Sequence, residues 1–180
     1  MQHGSTSHDI AASNGAIVLA GTLWLPVRER AVGGVLMLPG SGAADRDNDV
    51  LFPPIRAHLL ARGIAVASFD KRGVGGSTGD WRDVGIEVLA ADAAAELEAL
   101  RHAVDMSLSG VGLFGHSQGG WVGLALAAAD PQVGFLVTNS GPWVSVADQV
   151  RYEMATALAA DDASRADDEA ARELLQQALA

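Results

Sequence analysis

Ser117 is flanked at two residues' distance by glycines, in Gly115-His116-Ser117-Gln118-Gly119. This fits G-x-S-x-G, the spacing by which a strand turns at once into a helix and holds a serine hydroxyl above a sheet. The chemistry such a serine can perform is nucleophilic attack, provided a base takes its proton. A lone G-x-S-x-G carries little in a chain with 21 glycines. Its context carries more: Val111-Gly112-Leu113-Phe114 before it is a short apolar run suited to a buried strand, and Trp121 to Ala129 after it is an apolar helical stretch. A second candidate stretch, Leu38-Pro39-Gly40-Ser41-Gly42, ends another apolar run.

The elements that must position these residues follow from the periodicity. Gly33 to Leu38, Ile64 to Phe69, the elbow strand, and Val133 to Thr138 are continuous apolar runs, as expected for strands covered on both faces. Ile17 to Ala20 and Thr22 to Pro26 read as two short strands joined near Gly21. A helix is expected from about Leu51 to Arg62, capped by Asn48 or Asp49 and stopped by Gly63. A long amphipathic helix is expected from Asp83 to Val104, with Ile86, Leu89, Ala93, Leu97, Leu100 and Val104 on its apolar face and Asp92, Glu96 and Arg101 on others. Val74 to Trp81 is a Gly/Ser/Thr loop. Alternating strands and helices from 33 to 138 predict an α/β fold, a doubly wound and mostly parallel sheet. Residues 1–15 are expected to be a loose leader, 16–142 the core, and 143–180 a helical segment. In that last segment Ser145 with Asp148, and Ser164 with Asp167, each open a helix as a capping box.

Composition narrows the function. The chain has 180 residues, 49% of them hydrophobic and 19% charged, enough for one domain with a sizeable core. A formal net charge of −10 argues against nucleic acid or an anionic membrane surface as partner. There is no cysteine, hence no disulfide framework, thiolate metal site or cysteine nucleophile. The first ten residues are polar, unlike a signal peptide, and no apolar stretch is long enough to span a bilayer, so a cytoplasmic location is the default expectation. Gly73 to Gly79 follows a strand but has Thr78 where the last glycine of a dinucleotide-binding fingerprint belongs.

Taken together, Leu38-Pro39-Gly40-Ser41-Gly42 running into Asp45-Arg46-Asp47, Asp70-Lys71-Arg72-Gly73-Val74-Gly75-Gly76-Ser77, the elbow, and Ser140-Gly141-Pro142 resemble the α/β-hydrolase superfamily, in particular serine aminopeptidase-like and carboxylesterase-like members. The resemblance covers roughly residues 15 to 160. It implies that Ser117 is the nucleophile and that the backbone N–H groups of Gln118 and Ser41 form the oxyanion hole. It implies a small-molecule acyl substrate (ester, thioester or amide) and no cofactor. Asp70 and Arg72 are expected to be structural, and Asp45 to Asp47 either a solvated turn or a loop-fixing ion pair. His116 should point away from Ser117.

The superfamily orders its triad serine, acid, histidine. No histidine follows His116, and the strand after the elbow ends in Thr138-Asn139-Ser140 without a carboxylate. The chain is therefore expected to be the N-terminal part of such a hydrolase, truncated after about the sixth strand, with the helices from Ser145 as a cap. Two functional classes follow: a serine hydrolase whose acid and base lie elsewhere, or a non-catalytic module or half of a split enzyme. The last strand is expected to be an apolar edge through which the chain self-associates.

Overall fold

The computed structural model describes residues 5–27, 30–104, 110–141, 143–160, 169–170 and 173. Its strands are β1 Ser5–Asn14, β2 Ile17–Pro26, β3 Gly33–Leu38, β4 Ile64–Phe69, β5 Val111–His116 and β6 Leu136–Asn139. The helices are α1 Phe52–Leu60, α2 Ile86–Val104, α3 Gln118–Ala129 and α4 Val146–Ala160. The six strands form one mixed sheet in the order β1-β2-β4-β3-β5-β6. β1 and β2 are antiparallel, β2 meets β4 antiparallel, and every pairing from β4 to β6 is parallel.

Period-two alternation along the buried strands sends side chains to two cores. Leu36 and Leu38 of β3, Ala67 and Phe69 of β4, and Leu113 of β5 join Leu89, Ala93, Leu97 and Leu100 of α2 and Val122 and Leu126 of α3. Val35 and Met37 of β3 and Val66 of β4 face the other way, against Phe52 of α1. Helices on both faces are the doubly wound arrangement that the continuous apolar runs predict.

Several expectations are corrected. The loose leader is instead mostly β1, paired with β2 over its whole length. It was hidden because it is an edge strand, exposed along most of its length, with only Ala12 buried. Gly15, at φ +59°, supports the two-residue turn into β2, where glycine is favoured. The two short strands expected over 17–26 are one strand: Gly21 sits in its middle, opposite Phe69, because any side chain there would collide with that ring. Neither Asn48 nor Asp49 caps α1, whose N-cap is Leu51 with prolines in its first turn. Asp92, Glu96 and Arg101, which the periodicity places off the apolar face of α2, are nonetheless buried, at 4%, 7% and 9% exposure. The buried strand expected over 133–138 is the shorter β6, half exposed at the sheet edge, with Val137 49% exposed.

The chain divides into two compact units, Met1–Gly141 and Pro142–Ala180. In the second, Ser145 caps the start of α4 as expected: its Oγ accepts from Asp148 N (3.1 Å), while the Asp148 carboxylate accepts from that hydroxyl (2.7 Å) in place of the backbone N–H of a full capping box. The second capping box, at Ser164 and Asp167, lies outside the described residues. Among the described residues no helix is long and apolar enough to cross a membrane.

Candidate active site

Ser117 is the residue between β5 and α3, with φ +49° and ψ −115°. A non-glycine residue in this region of conformational space is strained, on the order of 1–3 kcal/mol. Serine is ordinarily a favoured N-cap because its hydroxyl accepts from the first turn. Here no side-chain cap bond forms, since Ser117 lacks the extended backbone that capping needs. The hydroxyl is thus withheld from the helix it precedes. The bend is tight enough that any side chain at Gly119 would strike the Leu38 carbonyl oxygen, so the elbow packs directly on the end of β3.

That contact brings the Pro39-Gly40-Ser41 turn to the serine. A Cβ on Gly40 would stand 3.6 Å from Ser117 Cβ and 3.0 Å from His116 Nδ1. The backbone N–H groups of Ser41 and Gln118 find no acceptor among the described residues. Unpaired amides beside a free serine hydroxyl can receive an anionic oxygen, and the N-terminal end of α3 favours negative charge there.

The charged residues around the turn hold it in place. Arg46 donates to Asp70 through its backbone N–H (2.9 Å), Nε (3.0 Å) and Nη2 (2.7 Å). Burial alone would raise the Asp70 pKa, but Arg46 and the Gly76 N–H outweigh it and hold the carboxyl below its ordinary value. Asp47 pairs with Arg56 of α1 at 2.7 Å. Arg72 forms a two-pronged bond to Asp92 of α2, both contacts at 2.6 Å. Asp70 and Arg72 are structural anchors, as expected, and the Asp45 to Asp47 turn is the ion-paired alternative.

His116 is engaged elsewhere. Asn48 accepts from the Gly40 N–H through Oδ1 (3.3 Å), which leaves its Nδ2 to donate to His116 Nδ1 (2.9 Å). Burial lowers the His116 pKa, so its ring is a neutral structural acceptor at physiological pH. Asn48, expected as a helix cap, instead braces the Gly40 turn; its positive φ of 44° takes it out of helical geometry. Among the described residues no histidine or carboxylate bonds to the Ser117 hydroxyl.

A family model described as "Alpha/beta hydrolase family" matches residues 35–179. The chain belongs to the alpha/beta hydrolase family. No curated protein matches it. Among solved structures it is similar to the Pyrococcus furiosus esterase Pf2001 (TM-score 0.68, 20% identity, 97% of this chain and 61% of that one). It is also similar to the alpha/beta hydrolase GrgF from Penicillium sp. sh18 (0.65, 23%, 88% and 53%). Acetyl xylan esterase 1 from Thermoanaerobacterium sp. is a third (0.64, 19%, 83% and 52%). The chain spans about half to three fifths of the length of these structures.

Two further residues stand beside the Gly40 turn and Gln118. Lys71 is 8% exposed, and its ammonium donates to the Gly40 carbonyl (2.5 Å) and to Gln118 Oε1 (2.9 Å). Burial lowers its pKa to about 8. Glu96 of α2 lines the same cavity of about 30 Å³ as Lys71, Arg72, Asp92, Pro39 and Gln118. Burial, then the Asp92 charge, raises its pKa to about 8, so it is protonated at neutral pH. Neither carries a local sequence signal: Lys71 reads as part of a polar turn at a strand end, and Glu96 as one position of an amphipathic helix.

Proposed function

We propose that this chain carries the nucleophile and oxyanion site of a serine hydrolase that cleaves a carboxylic ester, thioester or amide of a small molecule. Ser117 Oγ attacks the acyl carbon, and the carbonyl π electrons move onto oxygen, where the N–H groups of Ser41 and Gln118 stabilise the charge. The serine proton passes to a base and then to the leaving group as the tetrahedral intermediate collapses to an acyl-enzyme, which water hydrolyses. The observation that carries this reading is the uncapped, strained Ser117 at φ +49°. The esterases among its structural neighbours favour an ester.

Because no base contacts Ser117 within this chain's described residues, the test supplies one. The 180-residue chain is treated with a fluorophosphonate in imidazole buffer, and the adduct is read by intact mass. Imidazole-dependent modification of the wild type and none of Ser117→Ala is expected. Equal modification of both would overturn the assignment. The second reading, a non-catalytic module or one half of a split enzyme, is favoured by the same missing base. It predicts no turnover by the 180-residue chain alone, with recovery only when a complementing C-terminal half is added; esterase turnover by the purified chain would count against it.

A further inference from the structure

Lys71 is a buried cation with no carboxylate partner among the described residues. Burying an ammonium against two neutral acceptors is costly, and a methionine or glutamine would fill the space at less expense. A cost of this kind sitting beside a reactive group marks a functional role. The acceptors indicate which one. The Gly40 carbonyl belongs to the same peptide unit as the Ser41 N–H, and the Gln118 side chain belongs to the residue that supplies the other unpaired N–H.

We propose that Lys71 is a positioning residue of the oxyanion site, orienting and polarising the Gly40–Ser41 peptide and holding Gln118. In a trans peptide the C=O and N–H point in opposite directions, so fixing the Gly40 oxygen fixes the direction of the Ser41 N–H. A charge-assisted bond to the oxygen withdraws electron density across the amide and makes its N–H a stronger donor. The anchors on either side set Lys71's own place: Asp70 is held by Arg46, and Arg72 by Asp92 of α2. The other groups facing this region are Glu96 of α2, across the cavity, and His116 of β5, against Gly40.

The proposal rests on the hydrolase reading, and its first test does not use Ser117 chemistry. In the 180-residue chain, backbone amide NMR shifts of Ser41 and Gln118 are followed from about pH 7 to about pH 10, a span that brackets Lys71 and begins above His116, whose pKa burial lowers from 6.5. Both amides should titrate together with a midpoint near 8. Lys71→Arg should hold both at their low-pH positions throughout, and Lys71→Met at their high-pH positions. Glu96→Gln should leave the transition in place, which separates Lys71 from the other group that titrates near 8. Amides that do not move in the wild type, or a transition that survives in Lys71→Arg, would overturn the proposal. These shifts are independent of whether Ser117 reacts, so the two readings fail separately. In the imidazole-dependent adduct assay Lys71→Met should slow modification about tenfold at neutral pH, less than the loss of a whole donor, and Lys71→Arg should restore it. An unchanged rate in Lys71→Met would also overturn it.

Discussion

Replacing Arg72 by methionine tests the anchor that joins the loop after β4 to α2. Both partners are buried, with side-chain exposures of 9% for Arg72 and 6% for Asp92, and the guanidinium meets the carboxylate through two bonds of 2.6 Å. Methionine keeps most of the aliphatic packing. What remains is a buried carboxylate whose one further bond is from Asn14 Nδ2 at 2.8 Å. Breaking a buried pair in this way costs about 3–5 kcal/mol, against a total stability on the order of 5–15. With a urea m-value of about 2 kcal/mol/M, the midpoint should fall by about 1.5–2.5 M with m unchanged. The double variant Arg72→Met, Asp92→Leu removes both charges together and should recover most of that loss, giving a coupling of about 2 kcal/mol or more. Urea titration followed by far-UV circular dichroism measures all four corners of the cycle. A loss below about 1 kcal/mol in Arg72→Met, or a double variant as unstable as the sum of the singles, would refute the view that this pair anchors the loop.

Two further outcomes are expected. Glu96 has its pKa raised from 4.5 to about 8, so between those values the folded chain binds more protons than the unfolded one. Stability should therefore fall as pH rises through that window, by at most about 1.4 kcal/mol per pH unit, and Glu96→Gln should flatten the decline; parallel urea midpoints for the two proteins would contradict it. Ser117→Gly should be about 1 kcal/mol more stable than Ser117→Ala, since glycine releases strain of about 1–3 kcal/mol and returns about 0.5–1 in chain entropy. Both lack the hydroxyl, so thermal melting of the pair isolates the backbone term, and equal melting temperatures would show that φ +49° is unstrained here.

The parallel half of the sheet was readable because burial on both faces writes itself into sequence as unbroken apolar runs, and β3 and β4 carry them in full. β1 was not, because an edge strand needs apolar residues at only a few positions, here Ile10 and Ala12. Asn14-Gly15, a hairpin signal, was the clue available, and it was outweighed by the polar residues around it. Gly21 misled for the opposite reason: a glycine read as a break is instead the space that Phe69 fills from the neighbouring strand. That cause lies 48 positions away in the chain and leaves no local trace.

The same distinction separates what was and was not visible at the site. Ser117 could be found because its constraints are local: two close glycines, a strand before, a helix after. Lys71 could not, because its meaning is set by partners on other elements. Read alone, Asp70-Lys71-Arg72 is a polar turn at a strand end. In the fold, Asp70 is bound by Arg46 of the loop after β3 and Arg72 by Asp92 of α2, at ion-pair distances of 2.7 and 2.6 Å. The backbone on both sides of Lys71 is thereby fixed, so its side chain enters the interior without a carboxylate to draw it there. Two ordinary ion pairs thus place a third, unpaired charge against the peptide that faces Ser117. The loop is better described as a scaffold for that ammonium than as a turn.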